Sequence, residues 1–346
     1  MIPFTASPCQ SDDDEFVENS LWQRELARAI KDPLELLATV KVSADKIPGG
    51  IDLQQTFPLR VPHNYAARMQ TGDPADPLLL QVLPRQLESA IQPGFLRDPV
   101  DDTAAIARPG LLHKYHGRVL LITTGACPIH CRYCFRRHFP YAKNRPGDRQ
   151  WAAASEYIAT HPEITEVILS GGDPLSLNTK RLSDISNALH HIPHLRRLRI
   201  HTRMPIVLPE RIDNDFLRWL SGLPWQSVLI THCNHANELG HDVQHALNKL
   251  RHIGVTLLNQ AVLLKDVNDS VNAQCALSES LFASGVLPYY LHLLDRVQGA
   301  EHFDVSETTA ISLMDEVRQQ LPGFLVPQLV REIAGEPYKT PIQHLT

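Results

Sequence analysis

From Arg118 onward, short apolar runs alternate with longer stretches that place apolar residues three or four apart. The short runs are RVLLITT from 118, EVILSGG from 166, RRLRIHT from 196, QSVLITH from 226, VTLLNQAVLL from 255 and VLPYYLHLL from 286. They predict six strands. Between them, DRQWAAASEYIATH, LSDISNALHHI, ERIDNDFLRWLSGL, DVQHALNKLRHIG and NAQCALSESLFASG predict helices, several opened by Asp or Ser caps. Strand and helix in strict alternation call for a parallel sheet with right-handed crossovers, because only a crossover helix returns the chain to the same edge. The expected architecture is an α/β partial barrel of six βα units, a (β/α)6 arrangement.

Before the barrel, Leu21 to about Val42 has helical spacing with a break near Pro33, and Asp76 to Arg85 predicts another short helix. The turn-rich DPVDDTAAIARPG then reads as a boundary. The expected organisation is therefore a helical region over 1–107, the barrel over 108–300, and a C-terminal helix with a terminal segment over 301–346.

In barrels of this kind the loops at the carboxyl ends of the strands build the active site. Those ends are rich in chemistry. The first strand runs into Cys127, Cys131 and Cys134, the second into Ser170, Gly171, Gly172 and Asp173, and the third into His201, Thr202 and Arg203. The fourth ends at His232, the fifth near Asn259 and Gln260, and the sixth reaches His292 and Asp295. Three thiols spaced C-x3-C-x2-C can ligate three corners of a cubane iron-sulfur cluster. A zinc ion would need a fourth ligand, for which His130, His138, Cys233 and Cys275 are the candidates.

Composition narrows the partners. The 346 residues are 43% hydrophobic and 21% charged with a net charge of −5, so no basic excess points to nucleic acid. No apolar run approaches the ~18 residues of a membrane span, and the first residues lack the basic and apolar regions of a secretory signal. Six cysteines, three of them clustered, argue for a reducing compartment, and the cytoplasm is expected.

The cysteine spacing after a first strand, followed by a GG-acidic motif after the second, resembles the radical S-adenosylmethionine superfamily. The stretches PGLLHKYHGRVLLITTGACPIHCRYCFRR, LSGGDPL, HTRMPIVLP, LLNQAVLLKDVND and LPYYLHLLDRVQGAEHF are similar to lysine 2,3-aminomutases, in particular to the bacterial branch that supplies β-lysine for modifying elongation factor P. The resemblance implies a 4Fe-4S cluster on Cys127, Cys131 and Cys134 whose open iron binds S-adenosylmethionine. It implies that Ser170, Gly171, Gly172, Asp173, His232 and Gln260 surround that ligand. Paired glycines suit a close backbone approach.

It further implies pyridoxal 5′-phosphate, bound as a Schiff base to Lys339, with its phosphate held by Lys114, Tyr115 and Arg118. Where arginine is more usual, Lys114 offers a point charge in place of a planar fork. The usual glycine run before the lysine is replaced by AGEPY. Arg136 corresponds to the arginine that pairs the substrate carboxylate, and Asp295 and Glu332 to the two acids that bind the ε-ammonium of lysine. L-lysine is thus the expected substrate, with conversion to β-lysine, in the R form, for elongation factor P and its lysyl ligase. The short C-terminus implies no structural zinc and a homo-oligomer simpler than the tetramers of longer relatives.

Overall fold

A computed structural model of the protein describes residues 20–54, 57–141 and 148–343. One sheet of ten strands organises them, hydrogen-bonded in chain order from β1 to β10. The six predicted strands are β3 (Arg118–Thr124), β4 (Glu166–Gly171), β5 (Arg197–Thr202), β6 (Gln226–His232), β7 (Thr256–Val262) and β8 (Leu287–His292). All pair in parallel, and a seventh parallel strand, β9 (Gln328–Arg331), adds to β8. Antiparallel strands extend the two margins: β1 (Ile106–Arg108) and β2 (Leu111–Tyr115) beside β3, and β10 (Thr340–Pro341) beside β9. The sheet curls without closing.

Four of these ten strands were not anticipated. At two to five residues, β1, β2, β9 and β10 are too short to show a period against their surroundings. The predicted helices form where expected, and Asn178, Asp213, Ser270 and Ser306 cap four of the helices that cover the sheet by accepting a backbone N–H in the first turn. Residues 20–107 are less helical than their spacing suggests. Leu21–Ala27 and Pro33–Thr39 flank the Pro33 break, and only Pro77–Leu80 of the 76–85 stretch is α-helical.

Strand β5 shows how the sheet sorts its side chains. Leu198, Ile200 and Thr202 are buried, while Arg197, Arg199 and His201 alternate with them, and Arg199 and His201 line the cavity on the concave side. No helix among the described residues is long and apolar enough to cross a membrane.

The region before the sheet acts as a collar for the cysteine loop. Arg60 Nη1 donates to the Cys127 carbonyl at 3.2 Å, and the N–H groups of His130 and Arg132 donate to the carbonyls of Arg60 and Gln81. Glu88 accepts from Arg132 Nε at 2.8 Å and Arg137 Nη2 at 2.8 Å, with all three side chains at most 3% exposed. Both guanidiniums also lie 4.9 Å over the Phe57 ring. Removing the carboxylate would strand two buried cations, so Glu88→Gln is expected to cost about 3–5 kcal/mol in urea unfolding. It should also lower iron uptake on reconstitution, since Cys134 lies between its two partners in the chain and Cys131 directly precedes Arg132.

Candidate active site

The concave face of the sheet encloses a cavity of about 600 Å³. Every residue to which the family resemblance gave a role lines it: the three cysteines, Ser170 to Asp173, His232, Gln260, Lys114, Tyr115, Arg118, Arg136, Asp295, Glu332 and Lys339. Strand register accounts for several of these placements.

At the cysteine end, the β4 tip is stitched to the loop by backbone hydrogen bonds from Gly172 N to Thr124 O, 2.7 Å, and from Asp173 N to Ala126 O, 2.8 Å. A Cβ on Gly172 would sit 2.3 Å from the Ala126 carbonyl oxygen, and Gly171 has φ +123° with Thr124 O as near as 2.7 Å. The close approach that requires glycine is thus between β4 and the cysteine loop itself. Asp173 spends both carboxylate oxygens on structure. It accepts from Leu175 N, Thr202 Oγ1, Arg203 N and Met204 N at 2.7–3.2 Å, tying the tips of β4 and β5 together.

Burial pushes the Cys134 thiol up to about 11 and the Cys127 thiol up as well, with neighbouring thiolates adding to both shifts and Asp173 to that of Cys127. A bound iron would have to supply the positive charge that makes them thiolates. The buried Arg203 contributes some already, donating to Cys131 Sγ at 2.7 Å while pairing with Glu238 at 2.7 Å. The candidates for a fourth zinc ligand have other partners: His130 Nδ1 with Pro58 O at 2.8 Å, His138 Nε2 with Gln298 O at 3.2 Å, and the more distant Cys233 Sγ with His235 O at 3.4 Å. Cys275 faces Gln320 at 3.7 Å. Among the described residues, no three His, Cys, Asp or Glu side chains gather as a single metal ion would require.

Along the strand tips, His232 and Gln260 are Cα partners in the β6–β7 register, and Gln260 Nε2 donates to His232 Nε2 at 2.9 Å. Burial drives His232 down to about 3, with Arg203, Arg136 and Lys339 adding to the shift. His201 and His292 are likewise held neutral by burial, and the Nε2 atom of each is shielded from solvent without a partner. Both lie at strand tips noted in the sequence, but neither had a motif to give it a role.

At the opposite end, charges form a chain. Arg136 Nε donates to Asp102 Oδ2 at 2.7 Å, and Lys114 Nζ joins Asp102 Oδ1 at 2.7 Å to Glu332 Oε1 at 2.9 Å. Glu332 Oε2 in turn accepts from Lys339 Nζ at 2.6 Å. The antiparallel β9–β10 register pairs Arg331 with Thr340, so Glu332 and Lys339 are the next facing residues across the hairpin. AGEPY is the connection of that hairpin, with Gly335 at φ +84°. Replacing the glycine run leaves the amine in place.

Burial alone would raise Glu332, yet Lys339 and Lys114 hold its carboxyl well below the usual range. Asp295 behaves oppositely. Burial and the neighbouring Glu332 charge push it up to about 7, and its Oδ1 is shielded from solvent with no hydrogen-bond partner. Asp102 was missed in the sequence, where it lay in the turn-rich boundary. Its partners are 12 and 34 residues away, beyond any local pattern.

The description "4Fe-4S single cluster domain" matches residues 116–194. A radical SAM methyltransferase from Sphaerobacter thermophilus superposes with a TM-score of 0.46 over 64% of this chain and 68% of that one, at 17% identity. The L-lysine 2,3-aminomutase of Escherichia coli is 49% identical over 93% of this chain and 94% of its own length, and that of Haemophilus influenzae 47% over 93% and 96%. The L-lysine 2,3-aminomutase of Clostridium subterminale is 33% identical over 93% of this chain and 77% of its own. Identity of that extent, carried across nearly the whole chain, makes this protein a member of the L-lysine 2,3-aminomutase family.

Proposed function

We propose that this chain is a radical S-adenosylmethionine enzyme that converts L-lysine to (R)-β-lysine with the help of pyridoxal 5′-phosphate, in the cytoplasm, and that its product feeds the modification of elongation factor P. The observation that carries the reading is the cavity: three thiols at one end, the Lys339 amine at the other, and between them a guanidinium and an unpartnered buried carboxylate. Family membership supplies the reaction. The higher identity to the E. coli and H. influenzae enzymes, 49% and 47% against 33% to the clostridial one, favours their branch and with it the elongation factor P link.

Bound at these residues, the cluster and S-adenosylmethionine would supply a carbon radical, and pyridoxal phosphate the imine across which nitrogen moves from carbon 2 to carbon 3. The protein's own residues set what is held where. Arg136 is fixed by Asp102 through Nε and by Ser170 Oγ, to which its Nη1 donates at 3.2 Å, which leaves the rest of the guanidinium to meet a carboxylate. Asp295 Oδ1 lacks a donor that an ammonium could supply, and Glu332 adds a second acid beside it. Two acids at that end select a cationic side chain over a neutral one. The three neutral histidines keep the middle of the cavity uncharged.

Anaerobic incubation with S-adenosylmethionine, pyridoxal phosphate, a reductant and L-lysine should give (R)-β-lysine by chiral chromatography. No β-lysine from protein with a filled cluster and bound cofactor would sink the assignment. Lys339→Ala should abolish the visible absorbance of covalently bound cofactor while leaving iron and sulfide content unchanged.

The Asp295 carboxyl titrates near 7 in the free protein, so it is increasingly neutral as pH falls through that value and holds a cation less well. KM for lysine is therefore expected to rise on the acid side of pH 7. In Asp295→Asn the KM should be at least tenfold higher and this pH dependence largely lost, measured by initial rates from pH 6 to 8.5.

A further inference from the structure

We propose that Arg199, rather than Lys114, is the second cation that joins Arg118 in holding the cofactor phosphate, an inference that rests on the pyridoxal phosphate reading above. Lys114 has no donor to spare. Its Nζ carries three N–H groups and faces three acceptors: Asp102 Oδ1 at 2.7 Å, the Val100 carbonyl at 2.7 Å and Glu332 Oε1 at 2.9 Å. To meet a phosphate it would have to release one of these acceptors.

The charge balance points the same way. Lys114 and Arg136 are paired with Asp102, and Lys114 and Lys339 with Glu332, so each of these cations already meets a carboxylate. A surplus lies at the end where the strands begin. Arg118 opens β3 and makes no ion pair among the described residues; its guanidinium rests over the Tyr115 ring at 4.6 Å. Glu166, its Cα partner on β4, is shared by two arginines of β5. Arg199 Nη2 meets Glu166 Oε1, and Arg197 Nε donates to Oε2 at 3.0 Å. Arg118 and Arg199 thus line the cavity against one carboxylate that is already doubly paired.

Arg199 also has an unused donor. Its Nε is shielded from solvent and has no partner, an arrangement costly to keep unless an acceptor arrives. Tyr289 lines the same wall with its hydroxyl donating to Tyr290 at 3.0 Å. Burial and Tyr290 push that phenol up to about 12, while Arg199 and Arg118 pull the other way, which places it in the field of both guanidiniums. Two planar cations beside two phenol hydroxyls suit a phosphate monoester. The cavity is continuous from there to Lys339.

Comparing pyridoxal phosphate with pyridoxal isolates the phosphate. The full chain is titrated with each, and Lys339-dependent absorbance gives the two affinities. Unaltered protein should prefer the phosphorylated form, and Arg199→Gln should lose tenfold or more of its affinity for pyridoxal phosphate with that for pyridoxal unchanged. Arg199→Lys, which keeps the charge, should recover part of the preference. Because Arg197 continues to hold Glu166, Arg199→Gln should still fold, as circular dichroism and the pyridoxal titration check. Lys114→Gln breaks the ion-pair chain and should weaken both compounds alike, leaving the ratio of the two affinities intact.

Full phosphate preference in Arg199→Gln, or its loss in Lys114→Gln, overturns the inference alone. If the unaltered chain binds neither compound through Lys339, the cofactor reading fails and takes this inference with it.

Discussion

The site depends on a chain of buried ion pairs that links Arg136, Asp102, Lys114, Glu332 and Lys339. The sheet is open, with β1 and β10 at its two ends, so hydrogen bonding does not join its margins. Lys114 lies on β2, near one margin, and Glu332 follows β9, near the other. Their contact is the span across the gap. Asp102 is 2% exposed, and an isolated carboxylate so buried would be costly to ionise; two cations on its two oxygens offset that cost. Ion pairs of this kind add little net stability, but deleting one member leaves a charge stranded. They fix geometry more than they strengthen it.

That constraint explains why the two ends of the cavity differ. Toward the cysteines, backbone contacts carry much of the placement: the Gly171–Gly172 contact with the Thr124–Ala126 loop and the bonds from His130 and Arg132 to the Arg60 and Gln81 carbonyls, with the closed Glu88 ion pairs behind them. Toward Lys339 positions are set by side-chain charge. A backbone scaffold is rigid whether or not a ligand is present, whereas an ion-pair chain can exchange partners when a new charge enters. The rigid end is the one expected to hold a cluster, and the adaptable end the one expected to admit a substrate.

The legibility of the sequence follows the same division. Long strands with clear alternation, β3 to β8, and the chemistry at their tips could be read directly, as could the three thiols. The pairing of Glu332 with Lys339 was half visible: spacing seven residues apart says nothing, but a hairpin places them face to face. Asp102 and Arg199 could not be read. The first sits in a turn-rich segment whose partners are remote, and the second, on a strand, looked like an ordinary inward or outward arginine until its Nε proved to be buried and unpaired. Asp173 was legible as a residue of the site but not as a clamp, since its four donors come from a different loop as well as its own.

Glu332 and Asp295 also show how one acid pair can serve two cations in turn. With Lys339 and Lys114 both charged, Glu332 is fully compensated and stays ionised, while the nearby Asp295, lacking a cation of its own, is pushed toward the neutral form. If Lys339 were taken up in the proposed Schiff base, Glu332 would keep only Lys114. Loss of the Lys339 charge, which draws Asp295 down, would move Asp295 further toward the neutral form. An incoming ammonium would stand in for the lost cation beside Glu332 and draw Asp295 back toward its ionised form. On the proposed reading, the state of one lysine would thus be linked to the binding of another.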